Sequence, residues 1–270
     1  MGGLNSLDRV LAILDVFTEA RPEWTPEALM AELGYARPTL YRYVKTLREA
    51  GLLTALPGGA LMLGPRVVEM DYLMRTADPL VRAGRPHLAA LTAEWPCTAL
   101  LVRWYGQRLL CVASEVSAPD PVSSYPRGRP MPLVRGAISR SIMAFVPRAQ
   151  MTAWIEANLP DLQAVGLGAS PAEVAARLRT IRRTGYAVAY GEVTPGVVGI
   201  AAPVFDAARA PVASLCVTLA GTLMTPERIA AIGTRLREAA RALATDMDRV
   251  RGAAAAPADS APADPPRLRA

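Results

Sequence analysis

The stretch RPTLYRYVKTLREAG, residues 37–51, decides how this chain is read. An α-helix turns about 100° per residue. That step sets Leu40, Tyr43, Val44 and Leu47 on one stripe and Pro38, Arg42 and Lys45 opposite, flanked by Thr39, Tyr41 and Arg48. Pro38 sits in the first turn, where its missing N–H costs nothing, and Gly51 supplies a C-terminal stop. Residues 37–48 carry four basic side chains and no acidic one. A helix with one apolar and one basic face packs on the first and leaves the second for an anionic surface.

Upstream, Thr25 caps a short helix with Pro26 in its first turn and Gly34 at its end, so only residues 34–36 join it to the helix at 37. Two helices joined by so short a turn, the second with a basic exposed face, form the helix-turn-helix arrangement that lays a recognition helix in the major groove. Before them, Leu7, Val10, Leu11, Leu14 and Phe17 recur at helical spacing, which predicts a first helix from an N-cap at Ser6 to about residue 20. Downstream, LLTALPGGALMLG, residues 52–64, reads as two short strands around Gly58-Gly59, a hairpin able to form a wing. Residues 1–56 as a whole are not basic, with six Lys and Arg against seven Asp and Glu. The positive charge is local to the third helix, which is what groove binding requires.

The run from SLDRVLAILDVF (6–17) through RPTLYRYVKTLREAGLL (37–53) to LMLGPR (61–66) resembles the IclR family of transcription regulators, and the resemblance continues to about Asp248. It implies a winged helix-turn-helix domain at residues 1–64, a linker helix at 65–78, an effector-binding domain at 79–250 and a disordered tail at 251–270. The expected fold class is α+β, the second domain being an antiparallel sheet with helices packed on it, similar to GAF and profilin-like sensors. The expected partners are double-stranded DNA at a pseudo-palindromic operator, a small-molecule effector, and a second copy of the chain in a homodimer or homotetramer. An apolar side on the linker, Val67, Met70, Leu73 and Met74, fits self-association. The candidate DNA-contacting residues are Arg42, Lys45 and Tyr41 on the groove face, with Thr39 and Arg37 near the phosphates. Two departures from the family pattern fall in this part. Met30 stands where alanine is usual, and the wing carries Ala60 and Met62 where polar residues are common.

In the second domain, residues 98–116 and 200–221 read as hairpins turning at Gly106-Gln107 and near 207–209. Ser170 with Glu173 forms a capping box for a helix ending at Gly185, and Thr225-Pro226 opens a terminal helix to about Arg249. Two loops stand out. GRPMPLVRGAISRSIMAFVP, residues 128–147, leads an extended segment into a helix starting near Gly136, whose free N–H groups and dipole suit a carboxylate, with Arg135 beside it. GEVTPGVVGIAAPV, residues 191–204, holds three glycines that let a ligand approach the backbone, and Glu192 is its polar group. The resemblance assigns Ala137, Ile138, Ala189, Gly199, Cys216 and Thr218 to the effector cavity. Alanine, glycine and cysteine stand at 189, 199 and 216, where some members carry aspartate, cysteine and serine. With Arg135 and Glu192 these eight form the candidate effector site, and a small carboxylate is the expected effector.

Composition excludes much else. His87 is the only histidine, so no histidine cluster, catalytic triad or His-rich zinc site is available. Cys97, Cys111 and Cys216 lack metal-like spacing and read as reduced, buried thiols. No histidine or lysine neighbours a cysteine or the Ser139-Arg140-Ser141 run to act as a base, so no enzyme, catalytic residue, metal or cofactor is expected. No signal segment or run of about 18 apolar residues occurs, which predicts a cytoplasmic protein without membrane contact. The proline- and alanine-rich residues past Gly252 lack the apolar surface to order themselves. The alternative reading is a ligand sensor, or a redox sensor on Cys216 or Cys111, acting without specific DNA binding.

Overall fold

The computed structural model describes residues 5–118 and 125–255, and the chain divides into two compact units between Ala77 and Asp78. The first unit holds α1 (Ser6–Asp15), α2 (Pro26–Leu33), α3 (Arg37–Glu49), β1 (Leu53–Ala55), β2 (Leu61–Leu63) and α4 (Pro65–Ala77). Leu40, Tyr43, Val44 and Leu47 of α3 are all buried, joining Ile13, Leu29, Leu53 and Leu61 in one core. Thr25 accepts the Ala28 N–H and Gly34 closes α2 in the left-handed conformation. β1 and β2 pair antiparallel.

The first helix differs from its expected form at both ends. Asn5, not Ser6, is the N-cap: its side chain accepts from Leu7 and Asp8 N–H while Asp8 reaches back to Asn5 N–H. Ser6 instead places its hydroxyl 3.1 Å from the Tyr43 hydroxyl. α1 ends at Asp15 rather than near residue 20, because Trp24 pairs with Leu61 of the hairpin and donates its indole N–H to Val16. The inward face is correspondingly rotated: Ile13 is fully buried, whereas Leu7 and Leu11 are exposed. The expected linker at 65–78 is α4, which ends at Ala77 and belongs to the first unit.

The second unit comprises α5 (Pro79–Glu94), β3 (Thr98–Trp104), β4 (Leu109–Val116), β5 (Pro130–Met131), α6 (Gly136–Met143), α7 (Arg148–Ala157), α8 (Leu159–Ala164), α9 (Pro171–Thr184), β6 (Ala187–Tyr190), β7 (Val197–Phe205), β8 (Pro211–Ala220) and α10 (Pro226–Ala255). The sheet runs β5-β4-β3-β8-β7-β6, antiparallel throughout. Strand side chains alternate between faces. Ala99, Leu101, Leu215, Val217, Ile200 and Ala202 join the core with α5 and α10, while Leu100, Val102, Cys216 and Ala201 join the core with α6 to α9. Both faces are covered, so the central strands are apolar almost without interruption. α10 runs to Ala255, past the expected boundary at 250, since Val250 still packs on the first of these cores. The rest of the expected tail, 256–270, lies outside the described residues. His87, near the middle of α5, pairs with Asp246 of α10 at 2.9 Å.

Candidate functional site

Two concave surfaces gather the residues singled out by sequence, one in each unit. In the first unit a groove of about 1430 Å³, open to solvent, runs between α3 and the hairpin, and Tyr41, Arg42, Lys45, Arg48, Gly58 and Gly59 are among its lining residues. Packing of the Leu40 to Leu47 stripe onto α2 turns this face outward. Tyr41, Arg42 and Lys45 are exposed, and among the described residues Lys45 pairs at the surface with Glu49 at 3.8 Å. Such a pair contributes little and yields readily to a stronger anion. Arg37 and Thr39 do not line the groove; they sit in the first turn of α3, Arg37 exposed and Thr39 half-buried, with the Arg37 guanidinium over the Tyr41 ring. Arg48 is the groove residue that sequence reasoning left at the flank; it lies one turn beyond Lys45. The hairpin contributes glycine backbone and Ala55 but no charge.

In the second unit all eight candidate residues, Arg135, Ala137, Ile138, Ala189, Glu192, Gly199, Cys216 and Thr218, line one cavity of about 500 Å³ measured up to its mouth. Sheet register explains the convergence. Ala189 faces Gly199 across β6 and β7, and Gly199 faces Thr218 across β7 and β8, so three residues distant in sequence form one row. The start of α6 covers that row: a Cβ on Gly199 would lie 3.8 Å from the Ala137 Cβ and 4.0 Å from Thr218 Cγ2. Leu100, Met131 and Val197 complete an apolar wall that sequence reasoning did not select.

A carboxylate does sit at the start of α6, and it is the chain's own. Glu192 Oε2 accepts the Gly136 N–H at 3.0 Å and an Arg140 N–H at 2.6 Å. The Arg140 and Glu192 side chains are only 7% and 11% exposed. Burial pulls the Arg140 guanidinium below the usual arginine value, and the Glu192 charge opposes that shift. Arg140, the buried partner of Glu192, is the residue that sequence reasoning missed. The available signal was an arginine one turn inside a helix of otherwise small and apolar residues, GAISRSIM. The N–H groups of Ala137 and Ile138 have no acceptor among the described residues. Arg135 is exposed, and no hydrogen bond or ion pair engages it among the described residues.

The three thiols are buried. Burial pushes Cys97 and Cys111 each up to about 11 and Cys216 upward as well. A thiol reacts as its thiolate. Alkylation of the native chain by iodoacetamide near pH 8 is therefore expected to run at least ~100-fold slower than that of free cysteine, counted by mass spectrometry; prompt labelling of Cys111 or Cys216 would revive the redox reading. Among the described residues no group of His, Cys, Asp and Glu could hold a metal ion.

Comparison with known proteins follows the same division. The model of the IclR helix-turn-helix domain matches residues 6–57, and that of the bacterial transcriptional regulator IclR C-terminal domain matches residues 73–245. The chain is 26% identical over 233 residues to the HTH-type transcriptional regulator KipR of Bacillus subtilis, covering 85% of this chain and 92% of that protein. It is 28% identical over 248 residues to the HTH-type transcriptional regulator BhcR of Paracoccus denitrificans, covering 91% and 88%. Among solved structures, a putative IclR regulator from Silicibacter superposes with a TM-score of 0.76 at 24% identity, covering 90% of this chain and 96% of that one. An IclR homolog from Microbacterium hydrocarbonoxydans, complexed with 4-hydroxybenzoate, superposes with a TM-score of 0.74 at 20% identity, covering 91% and 100%.

Proposed function

The chain belongs to the IclR family of transcriptional regulators, and from that premise we propose that it binds a specific operator through α3 under the control of a small carboxylate held in the second unit. The family consists of regulators rather than enzymes, with a DNA-binding helix-turn-helix and a ligand-binding C-terminal domain. The finer reading is carried by one observation: eight residues chosen from four separate sequence segments meet in a single cavity, in a unit distinct from the one that bears the basic helix face.

On the DNA side, Arg42 and Lys45 play different parts. A bidentate arginine contact to a guanine edge discriminates by about 1–3 kcal/mol, whereas a phosphate contact strengthens every sequence alike. Arg42→Ala is expected to weaken operator binding by about 5- to 150-fold and to relax preference at one base position. Lys45→Ala is expected to lower the salt slope of binding by about one. Gel shifts over a salt series read both; full affinity and full preference in Arg42→Ala would displace α3 from the groove. Sequencing the genomic DNA that the protein retains at one fixed salt tests the regulator reading directly. Enrichment of a near-palindromic site upstream of one operon supports it, and no enrichment favours a sensor without DNA.

On the ligand side, the two unpartnered N–H groups at the start of α6 suit a carboxylate, and Arg135 at the cavity mouth supplies a mobile positive charge. Glu192 does not repel it at full strength because Arg140 neutralises it. Hydrogen bonds to charged groups contribute about 1.5–3 kcal/mol, so Arg135→Ala is expected to bind 4-hydroxybenzoate or a related acid about 10- to 100-fold more weakly by calorimetry. Equal affinity removes Arg135 from the site. The expected apolar side of α4 is exposed at Met70, Leu73 and Met74 and half-buried at Val67, which supports assembly as a dimer or tetramer that a near-palindromic operator would match. The proposed location is the cytoplasm; no helix among the described residues is long and apolar enough to cross a membrane.

A further inference from the structure

Glu192 also lines a second cavity, together with Arg140, and is the one residue that the two linings share. It opens between α6, the turn before α9, α9 itself and the end of β6, measures about 900 Å³ up to its open side, and is lined as well by Gly166, Arg177, Thr180 and Tyr190. Two guanidinium groups and one carboxylate therefore line it, and the carboxylate pairs with Arg140. Arg140 is 94% buried, with 6% of its surface exposed, yet its Nε has no hydrogen-bond partner. Its other contacts are the Val188 carbonyl at 3.3 Å and Glu192 at 2.6 Å. Arg177 is exposed, donates to the Gly166 carbonyl, and sits close enough that its charge disfavours protonated Arg140. A buried donor without an acceptor, beside a second cation and an open cavity, is an arrangement that an anion would stabilise.

We propose that this outer cavity is a second anion site, taking a small oxyanion, carboxylate or phosphate, between Arg177 and Arg140. The anion pairs with the Arg177 guanidinium and with the part of Arg140 that lines the cavity, and screens the two arginines from each other. Because Glu192 lines both cavities, an anion drawn onto Arg140 competes with Glu192 for it and loosens the Glu192 hold on the Gly136 N–H. Occupancy of the outer site thereby alters the inner one without touching its ligand. Neither the α3 groove nor the carboxylate reading of the inner cavity is needed for this site.

The test is calorimetric titration of the full chain with inorganic phosphate and, separately, with acetate, ionic strength being held constant with chloride. Wild type is expected to bind at least one of the two, and the tighter of them names the ligand class. Arg177→Gln is expected to weaken that binding at least about tenfold, with Arg177→Lys intermediate and Arg179→Gln, an exposed residue of α9 outside both linings, unchanged. An unchanged thermal midpoint in Arg177→Gln keeps the comparison fair, since the side chain is exposed. Binding that survives Arg177→Gln but is lost in Arg135→Gln belongs to the inner cavity and, like binding that survives both or no heat with either anion, would overturn the outer site.

Discussion

Leu40→Ala is expected to abolish operator binding while leaving ligand binding in the second unit at its wild-type affinity. Leu40 is fully buried and faces α2 from the helix that carries Arg42 and Lys45. Truncating such a leucine costs about 2–5 kcal/mol through lost burial and the cavity left behind. A unit of this size has in all roughly 4–12 kcal/mol of stability, and its core holds ten buried hydrophobic residues among those described. The loss is thus a large share of what holds α3 in place. Circular dichroism should show an early melting step, and calorimetry should find the ligand site intact because the second unit has cores of its own. Simultaneous loss of ligand binding would show that the two units fold as one.

The second large effect is expected at the buried ion pair. Glu192→Ala leaves the Arg140 guanidinium inside the second unit without its carboxylate, which costs about 3–5 kcal/mol when one partner of a buried pair is removed. Denaturant titration should show the midpoint fall with little change in slope. Replacing both residues, Arg140→Met with Glu192→Leu, is expected to recover most of the stability, since a well-packed apolar pair can match a buried ion pair. A double variant no more stable than Glu192→Ala would mean that the Gly136 N–H contact, not the charge pairing, is what Glu192 supplies.

The two sites were legible to different degrees. The recognition helix could be read almost entirely, because its burial repeats every three to four residues and a local period survives in the sequence. Leu40, Tyr43, Val44 and Leu47 are all buried as spaced, and the α2 and α9 caps at Thr25 and Ser170 lie where their side-chain chemistry demands. α1 could not be read so well. Its apolar residues wrap most of the helix, and which face turns inward is decided by Trp24, a residue outside it that pairs with the hairpin.

In the second unit the sequence by itself determined the hairpins at 98–116 and 200–221 and the starts of α6, α9 and α10, for these follow from local alternation and turn residues, but not α7, α8, β6 or the apolar wall of Leu100, Met131 and Val197. Only the tertiary structure decided that Glu192 comes back across the sheet to the start of α6 and meets Arg140 there. Those two residues are fifty-two positions apart, and no local pattern encodes a contact set by strand register and helix docking. An arginine in sequence is equally compatible with solvent and with a buried partner. The balance between desolvation and pairing exists only once both charges have been carried inside.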